Sequence, residues 1–285
     1  MHVTELMLSV CSMSSIIQFI NCRQCVGGIL VPSPLTIDSR SGRIISNSPI
    51  PPDTQLIDCN NGIIAPGYIE LQTNGALGFH FAHFQGPDSY QKGVRRLAEY
   101  LPSTGVTGFY PTVPTVAPGV FKSVLPFLSL DYESLGVATV LGAHVEGPFL
   151  APCKKGAHDA ANMHTPASSS LDEIYGEENL RTSIRILTMA PELPGALPLI
   201  KTLTQDYGIC VSMGHSAASH DHGLEGMKAG ASLLTHTFNA MNPLHHREPG
   251  LVGKLSCYLS AKMKFVYESR TYISSIASLL FSDSR

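Results

Sequence analysis

The stretch 208–253 reads GICVSMGHSAASHDHGLEGMKAGASLLTHTFNAMNPLHHREPGLVG. Two short apolar runs in it each end in a histidine. Residues 209–213 lead into Gly214-His215-Ser216, and Leu233-Leu234-Thr235 leads into His236. Between them, 219–230 has helical spacing and closes on Gly230, a residue suited to a helix C-terminus. The pattern is strand, helix, strand, with a histidine at the carboxyl end of each strand. Parallel α/β folds build their sites at that end. A neutral imidazole placed there can bind a divalent metal.

An upstream stretch answers this one. Residues 137–145 form a long apolar run that continues into Glu146-Gly147-Pro148-Phe149, so Glu146 falls where a third strand would end. Any one of these residues alone would be an ordinary polar side chain at the end of a strand. Together, His215, His236 and Glu146 make a two-histidine, one-carboxylate set with an open coordination position. That is the pattern of a catalytic rather than a structural metal site.

Working outward, the same alternation extends through the middle of the chain. Residues 63–72 are a near-continuous apolar run, as expected of a buried parallel strand. Val94, Leu97, Ala98 and Leu101 share one helical face, and Gly105 stops that helix. Strands are expected at 106–110, 137–146, 184–190, 209–213 and 233–237, with helices at 120–130, 195–207 and 219–230. The loop 147–170 is long and polar, and loops of that length are more often functional than idle. Six such alternations imply a parallel sheet with right-handed crossovers. Site residues converging from several strands favour a barrel over an open sheet. A (β/α)8 barrel needs eight strands, and no clear seventh or eighth is legible after Gly253. Ahead of the barrel, 18–63 carries short apolar pieces broken by Pro32, Pro34, Pro49, Pro51 and Pro52, which reads as a small β domain. The expected organisation is therefore an extension over 1–17, a small β domain over 18–63, a partial barrel over 64–253 and a divergent tail over 254–285.

Composition narrows the function. The 285 residues are 44% hydrophobic, enough for a sizeable core. Charged residues are 14% and the net charge is −3, which leaves no basic excess for nucleic acid. The first twenty residues hold Glu5 and no Lys or Arg ahead of their apolar part, unlike a secretory signal. No run of about 18 uncharged apolar residues marks a membrane span. Seven scattered cysteines argue for reduced thiols and a cytoplasmic setting, and the lone Cys22/Cys25 pair lacks the second pair that a zinc site needs.

The motifs APGYIELQTNG, GAHVEGPF, KKGAH, MGHS, THTFNAM and HHREPGLVG occur in this order between residue 18 and about residue 253. In them the chain resembles the N-acetylglucosamine-6-phosphate deacetylases of the amidohydrolase superfamily. The resemblance implies a metal-bearing (β/α)8 TIM-type barrel, here incomplete at about six strands, with a small β-sandwich built from both chain ends. It implies a hydrolase that removes acetate from N-acetylglucosamine 6-phosphate, and a homodimer. Many amidohydrolases carry His-x-His in the first strand. This chain has Glu70-Leu71-Gln72, so one divalent metal ion is expected, zinc first, with iron, manganese and cobalt left open. Glu146, His215 and His236 match the family's metal ligands. His158, Asn239, Ala240 and Arg247 match its substrate-contacting positions, the arginine offering a planar fork for a phosphate in the neighbouring subunit. The family's catalytic Asp, and a substrate-binding His after the seventh strand, have no counterpart here. No catalytic residue is assigned, and Asp283 lacks the apolar strand that should precede it. His80 and His83, in GFHFAHF, replace a less histidine-rich family stretch and read as loop residues. Two further readings compete. A dihydroorotase-like or dipeptidase-like activity is opposed by KKGAH and HHREPG. A truncated, catalytically impaired paralogue or isoform that binds metal or sugar phosphate is the expectation that the missing strands support.

Overall fold

The structure, a computed structural model, describes residues 15–45, 50–129, 136–254 and 264–266. The expected extension over 1–17 and tail over 254–285 lie almost wholly outside these residues, as does Asp283. The chain divides into two compact units at Gly67/Tyr68.

The first unit is a five-stranded sheet. It comprises β1 (Ile16–Val26), β2 (Ile29–Pro32), β3 (Leu35–Asp38), β4 (Arg43–Ile45) and β5 (Gln55–Ile64). The strand β1 is its spine. One end pairs antiparallel with β2, the other with β3, and β5 lies parallel along it. The β1–β2 hairpin turns through Gly27 and Gly28, at φ +57° and +81°, the positive values that a tight two-residue turn demands.

The second unit is a parallel sheet with helical crossovers. Its strands are β6 (Tyr68–Thr73), β7 (Val106–Pro114), β8 (Thr139–Val140), β9 (Ala143–Glu146), β10 (Ile184–Met189), β11 (Cys210–Met213), β12 (Leu233–Thr235) and β13 (Lys264–Val266). They run in the order β13-β12-β11-β10-β9-β7-β6, with β8 on β7, and every pairing is parallel. This is part of a TIM-type barrel, with the six expected strands in place. The short β13 is one more, in the stretch after Gly253 where no strand was legible. The first strand starts at Tyr68 rather than residue 63, because Ile63 and Ile64 finish β5.

The helices are α1 (Pro87–Tyr100), α2 (Pro118–Val124), α3 (Leu171–Tyr175), α4 (Glu177–Thr182), α5 (Ala196–Gln205) and α6 (His220–Ala229). In α1, Tyr90, Val94, Leu97 and Ala98 are buried, at spacings that keep them on one face. Trimming Leu97 to Ala would cost about 2–5 kcal/mol, since a side chain 1% exposed leaves a cavity. Ser219 caps α6 by accepting from the His222 N–H, while the His222 ring closes a capping box. Gly230 ends that helix at φ +124°.

Candidate metal centre

The strand register lines up the carboxyl ends. Glu146, last in β9, stands opposite Thr188 of β10 and Pro114 of β7, and Met213, last in β11, opposite Met189 and Leu234. His215 follows β11 after Gly214, and His236 follows β12 directly. Both have left-handed backbones, φ 47° and 55°. Such positions cost roughly 1–3 kcal/mol and concentrate at functional sites. Gly214 is required beside His215. A Cβ there would meet the Thr235 Cβ at 2.7 Å and its carbonyl oxygen at 3.0 Å.

Glu146 is the hub, 3% exposed. Its Oε1 lies 2.7 Å from His236 Nε2 and 3.1 Å from His215 Nε2, and it accepts from Gln72 Nε2 at 3.0 Å. Its Oε2 faces His158 Nε2 at 3.7 Å. The donor atoms of Glu146, His158 and His215 all lie within 4.8 Å of one another, a group that could hold a metal ion. His236 is outside that group but contacts the same carboxylate oxygen.

The partners of the other ring nitrogens separate the histidines. His215 Nδ1 sits 2.7 Å from the Lys154 carbonyl oxygen. A carbonyl only accepts, so Nδ1 carries the proton and the neutral ring offers its Nε2 lone pair to the site. His158 is the reverse. The Thr115 N–H donates to its Nδ1 at 3.2 Å, with the Thr115 hydroxyl 2.9 Å away. A backbone N–H only donates, so the neutral His158 carries its proton on Nε2 and presents a donor, not a lone pair. With His215 Nε2 unprotonated, its lone pair and a carboxylate oxygen at 3.1 Å repel one another; a proton on Nε2, or a metal ion between the two, turns the contact favourable. The donor chemistry therefore fits a positive charge held between Glu146 and the imidazoles.

Burial by itself would raise the Glu146 carboxyl. Hydrogen bonds from His215 and His236, with the charge of those rings, outweigh it and hold the group well below the usual carboxylate range. Burial drives His158 down to about 4, against the raising pull of Glu146, so the ring is neutral at pH 7. His144, two residues before Glu146, is fully buried and also pushed down, first by burial. Its Nδ1–H donates to the Leu71 carbonyl at 2.9 Å, and its Nε2 takes the Thr188 hydroxyl at 2.7 Å. Both nitrogens are occupied.

A cavity of about 720 Å³ opens onto Glu146. His158, His215, His236, Asn239 and Ala240 line it, as do Asn74, His80, Thr115, Cys153, Lys154 and Asp159. Arg247 lies outside its own chain's cavity: it is exposed, and its backbone N–H donates to His245 Nδ1 at 3.2 Å. The sequence reading missed Gln72, Thr115 and the Lys154 carbonyl as supports of the site. Gln72 stands next to last in β6 and Glu146 last in β9, and that shared carboxyl-end placement was the available signal. Cys22, Cys25, Cys59, Cys153 and Cys210 are free thiols. Among the described residues no helix is long and apolar enough to cross a membrane.

No protein-family profile matches the chain. A curated N-acetylglucosamine-6-phosphate deacetylase from Bos taurus is 38% identical over 246 residues, 85% of this chain and 59% of that protein. The chain thus spans about six tenths of the length of the curated relatives it matches. Among solved structures, N-acetylglucosamine-6-phosphate deacetylase from Pasteurella multocida superimposes with a TM-score of 0.72 at 26% identity, covering 88% of this chain and 63% of that one. A mutant of the Mycobacterium smegmatis enzyme, in complex with N-acetyl-D-glucosamine-6-phosphate, superimposes with a TM-score of 0.68 at 25% identity, covering 88% of this chain and 62% of that one.

Proposed function

Because the chain is homologous, over the span it covers, to the N-acetylglucosamine-6-phosphate deacetylases, we propose that it is a metal-dependent deacetylase. It takes N-acetylglucosamine 6-phosphate to glucosamine 6-phosphate and acetate. The observation that carries this is the convergence of imidazole nitrogens from two further strand ends on one oxygen of the buried Glu146. In this reading Glu146, His215 and His236 hold one divalent ion, zinc first, which supplies a Lewis acid that activates water and polarises the acetamide carbonyl.

The chain's own groups then divide the work. The Lys154 carbonyl fixes His215 in its ligating tautomer, and outer partners of this kind are worth about 10–100-fold in metal affinity or activity. Gln72 donates to Glu146 and holds its carboxylate plane. His158, kept neutral by burial and turned by Thr115, offers Nε2–H to a substrate oxygen. Asn239 and Ala240 face the sugar from the cavity wall. Arg247, exposed beyond its own cavity, takes the phosphate of substrate bound in a second copy, which makes the working unit a homodimer. Free thiols and the amino-sugar phosphate substrate fit a cytoplasmic enzyme. We assign no group to the proton transfer from water to the leaving amine. Of the carboxylates lining the cavity, Glu146 serves the metal and Asp159 caps a turn through the Ala161 N–H.

The test is acetate release from N-acetylglucosamine 6-phosphate by the zinc-loaded chain, with metal content measured alongside. Turnover lost on chelation and regained with zinc is expected. A protein that retains one zinc per chain and neither binds nor deacetylates this substrate contradicts the reading.

A further inference from the structure

The loop after β6 is built to present one histidine to the cavity. Gly75 sits at φ +137°, where a Cβ would meet the Phe79 carbonyl oxygen and press on the His80 Cα at 2.8 Å. Only glycine lets the chain fold back this tightly. Phe79 then packs into a notch on α1. A Cβ at Gly93 would overlap its ring, and the ring meets Phe81 and Tyr90 edge-on, each at 5.3 Å. Phe81 is fully buried, its N–H donates to the Asn74 carbonyl at 3.0 Å, and its own carbonyl takes the Tyr90 hydroxyl at 2.7 Å. Between these two anchored phenylalanines stands His80, half-buried and lining the cavity that opens onto Glu146.

The state of the ring is fixed as well. The Ala82 N–H donates to His80 Nδ1 at 3.1 Å. That assigns the lone pair to Nδ1 and the proton to Nε2, which has no hydrogen-bond partner among the described residues. The ring stacks on His83 at 4.7 Å. Burial, then the nearby His83, lowers its affinity for a second proton, so it is an uncharged donor at neutral pH. No residue of this loop is among those the family resemblance carries over, and the family stretch is poorer in histidine.

We propose that His80 is a substrate-binding residue of this site, donating Nε2–H to an oxygen of the bound amino-sugar phosphate. This rests on the deacetylase reading and adds a residue to it. A bulky, rigidly held aromatic flank would explain the two packed phenylalanines and both glycines, but not an imidazole among the residues that line the cavity. One neutral hydrogen bond contributes about 0.5–1.5 kcal/mol, which is roughly a two- to twelvefold change in affinity.

The experiment is calorimetric binding of N-acetylglucosamine 6-phosphate to the metal-loaded full chain, to His80→Ala and to His80→Gln, with metal content and thermal midpoint recorded for each. The glutamine amide places an N–H close to where Nε2 stands. Weaker binding by His80→Ala, recovery in His80→Gln, and unchanged metal content and midpoint support the proposal. Equal affinity in all three overturns it while the deacetylase reading stands. Equal losses in both variants overturn it too, since they mark a packing role. If the wild-type chain, fully loaded with metal, does not bind this ligand, the deacetylase reading falls and His80 falls with it.

Discussion

Two clusters of buried polar groups share the strands β9, β11 and β12, and they use their lone pairs differently. In one, His144, Thr188, Thr235 and Ser212 form a closed chain. His144 gives a proton to Leu71 and takes one from Thr188, Thr188 meets Thr235 at 2.8 Å, and Thr235 meets Ser212 at 2.6 Å. In the other, Glu146 Oε1 collects two imidazole nitrogens, and the assigned tautomer of His215 turns a lone pair toward it. Burial is similar in both. The first cluster is satisfied by its own hydroxyls and is structural. The second needs a proton or a metal ion between its imidazoles and the carboxylate, and that contrast, rather than the mere number of histidines, marks the functional one.

The comparison breaks most visibly at its hub. Glu146→Gln removes the charge and keeps the shape, so metal content is expected to fall from about one ion per chain toward zero. Activity should fall by more than the roughly 10–100-fold that outer-shell changes cost. Elemental analysis and the acetate assay check both. Replacing His144 by Phe should do the opposite, leaving metal content intact. It strands the Thr188 hydroxyl and the Leu71 carbonyl, so stability should drop by about 1–3 kcal/mol on denaturant unfolding. Gly214→Ala lies between the clusters. Its methyl would press on Thr235 of one and displace His215 of the other, and overpacking of this kind costs about 1–3 kcal/mol. Here stability and metal affinity should fall together. Thr115→Val is expected to have the smallest effect. It removes the hydroxyl's contacts to His158 Nδ1 and to the Glu146 carbonyl, but the backbone N–H still holds His158 Nδ1, so a rise in KM of about three- to tenfold is expected, with metal content unchanged.

Much of this was legible in the sequence because strand ends announce themselves. The runs before Glu146, His215 and His236 end where an apolar period of four to ten residues stops, and the structure puts β9, β11 and β12 there. Ser219 and Gly230 bound α6 as their cap chemistry requires. What was not legible depends on contacts distant in sequence. Nothing local distinguishes His144 from His215. The difference is a threonine 44 residues away in one case and a lysine carbonyl 61 residues away in the other. His80 read as a loop residue, as the structure has it, but the packing of Phe79 against Gly93 that fixes the loop is invisible to periodicity. Ile63 and Ile64 read as the start of the barrel because an apolar run does not show where Pro66 and Gly67 break it.

The tautomers of His144, His158, His215 and His236 test the account most directly, and nitrogen-15 NMR of histidine-labelled protein, followed through a zinc titration, reads them. Assignment comes from single His→Gln variants. The account predicts that Nε2 of His215 and His236 moves to a zinc-bound shift at one equivalent, while Nδ1 of His215 stays protonated. His158 keeps its proton on Nε2, and His144 does not respond. A zinc-bound shift at His158 Nε2, or no response at His215, would contradict it.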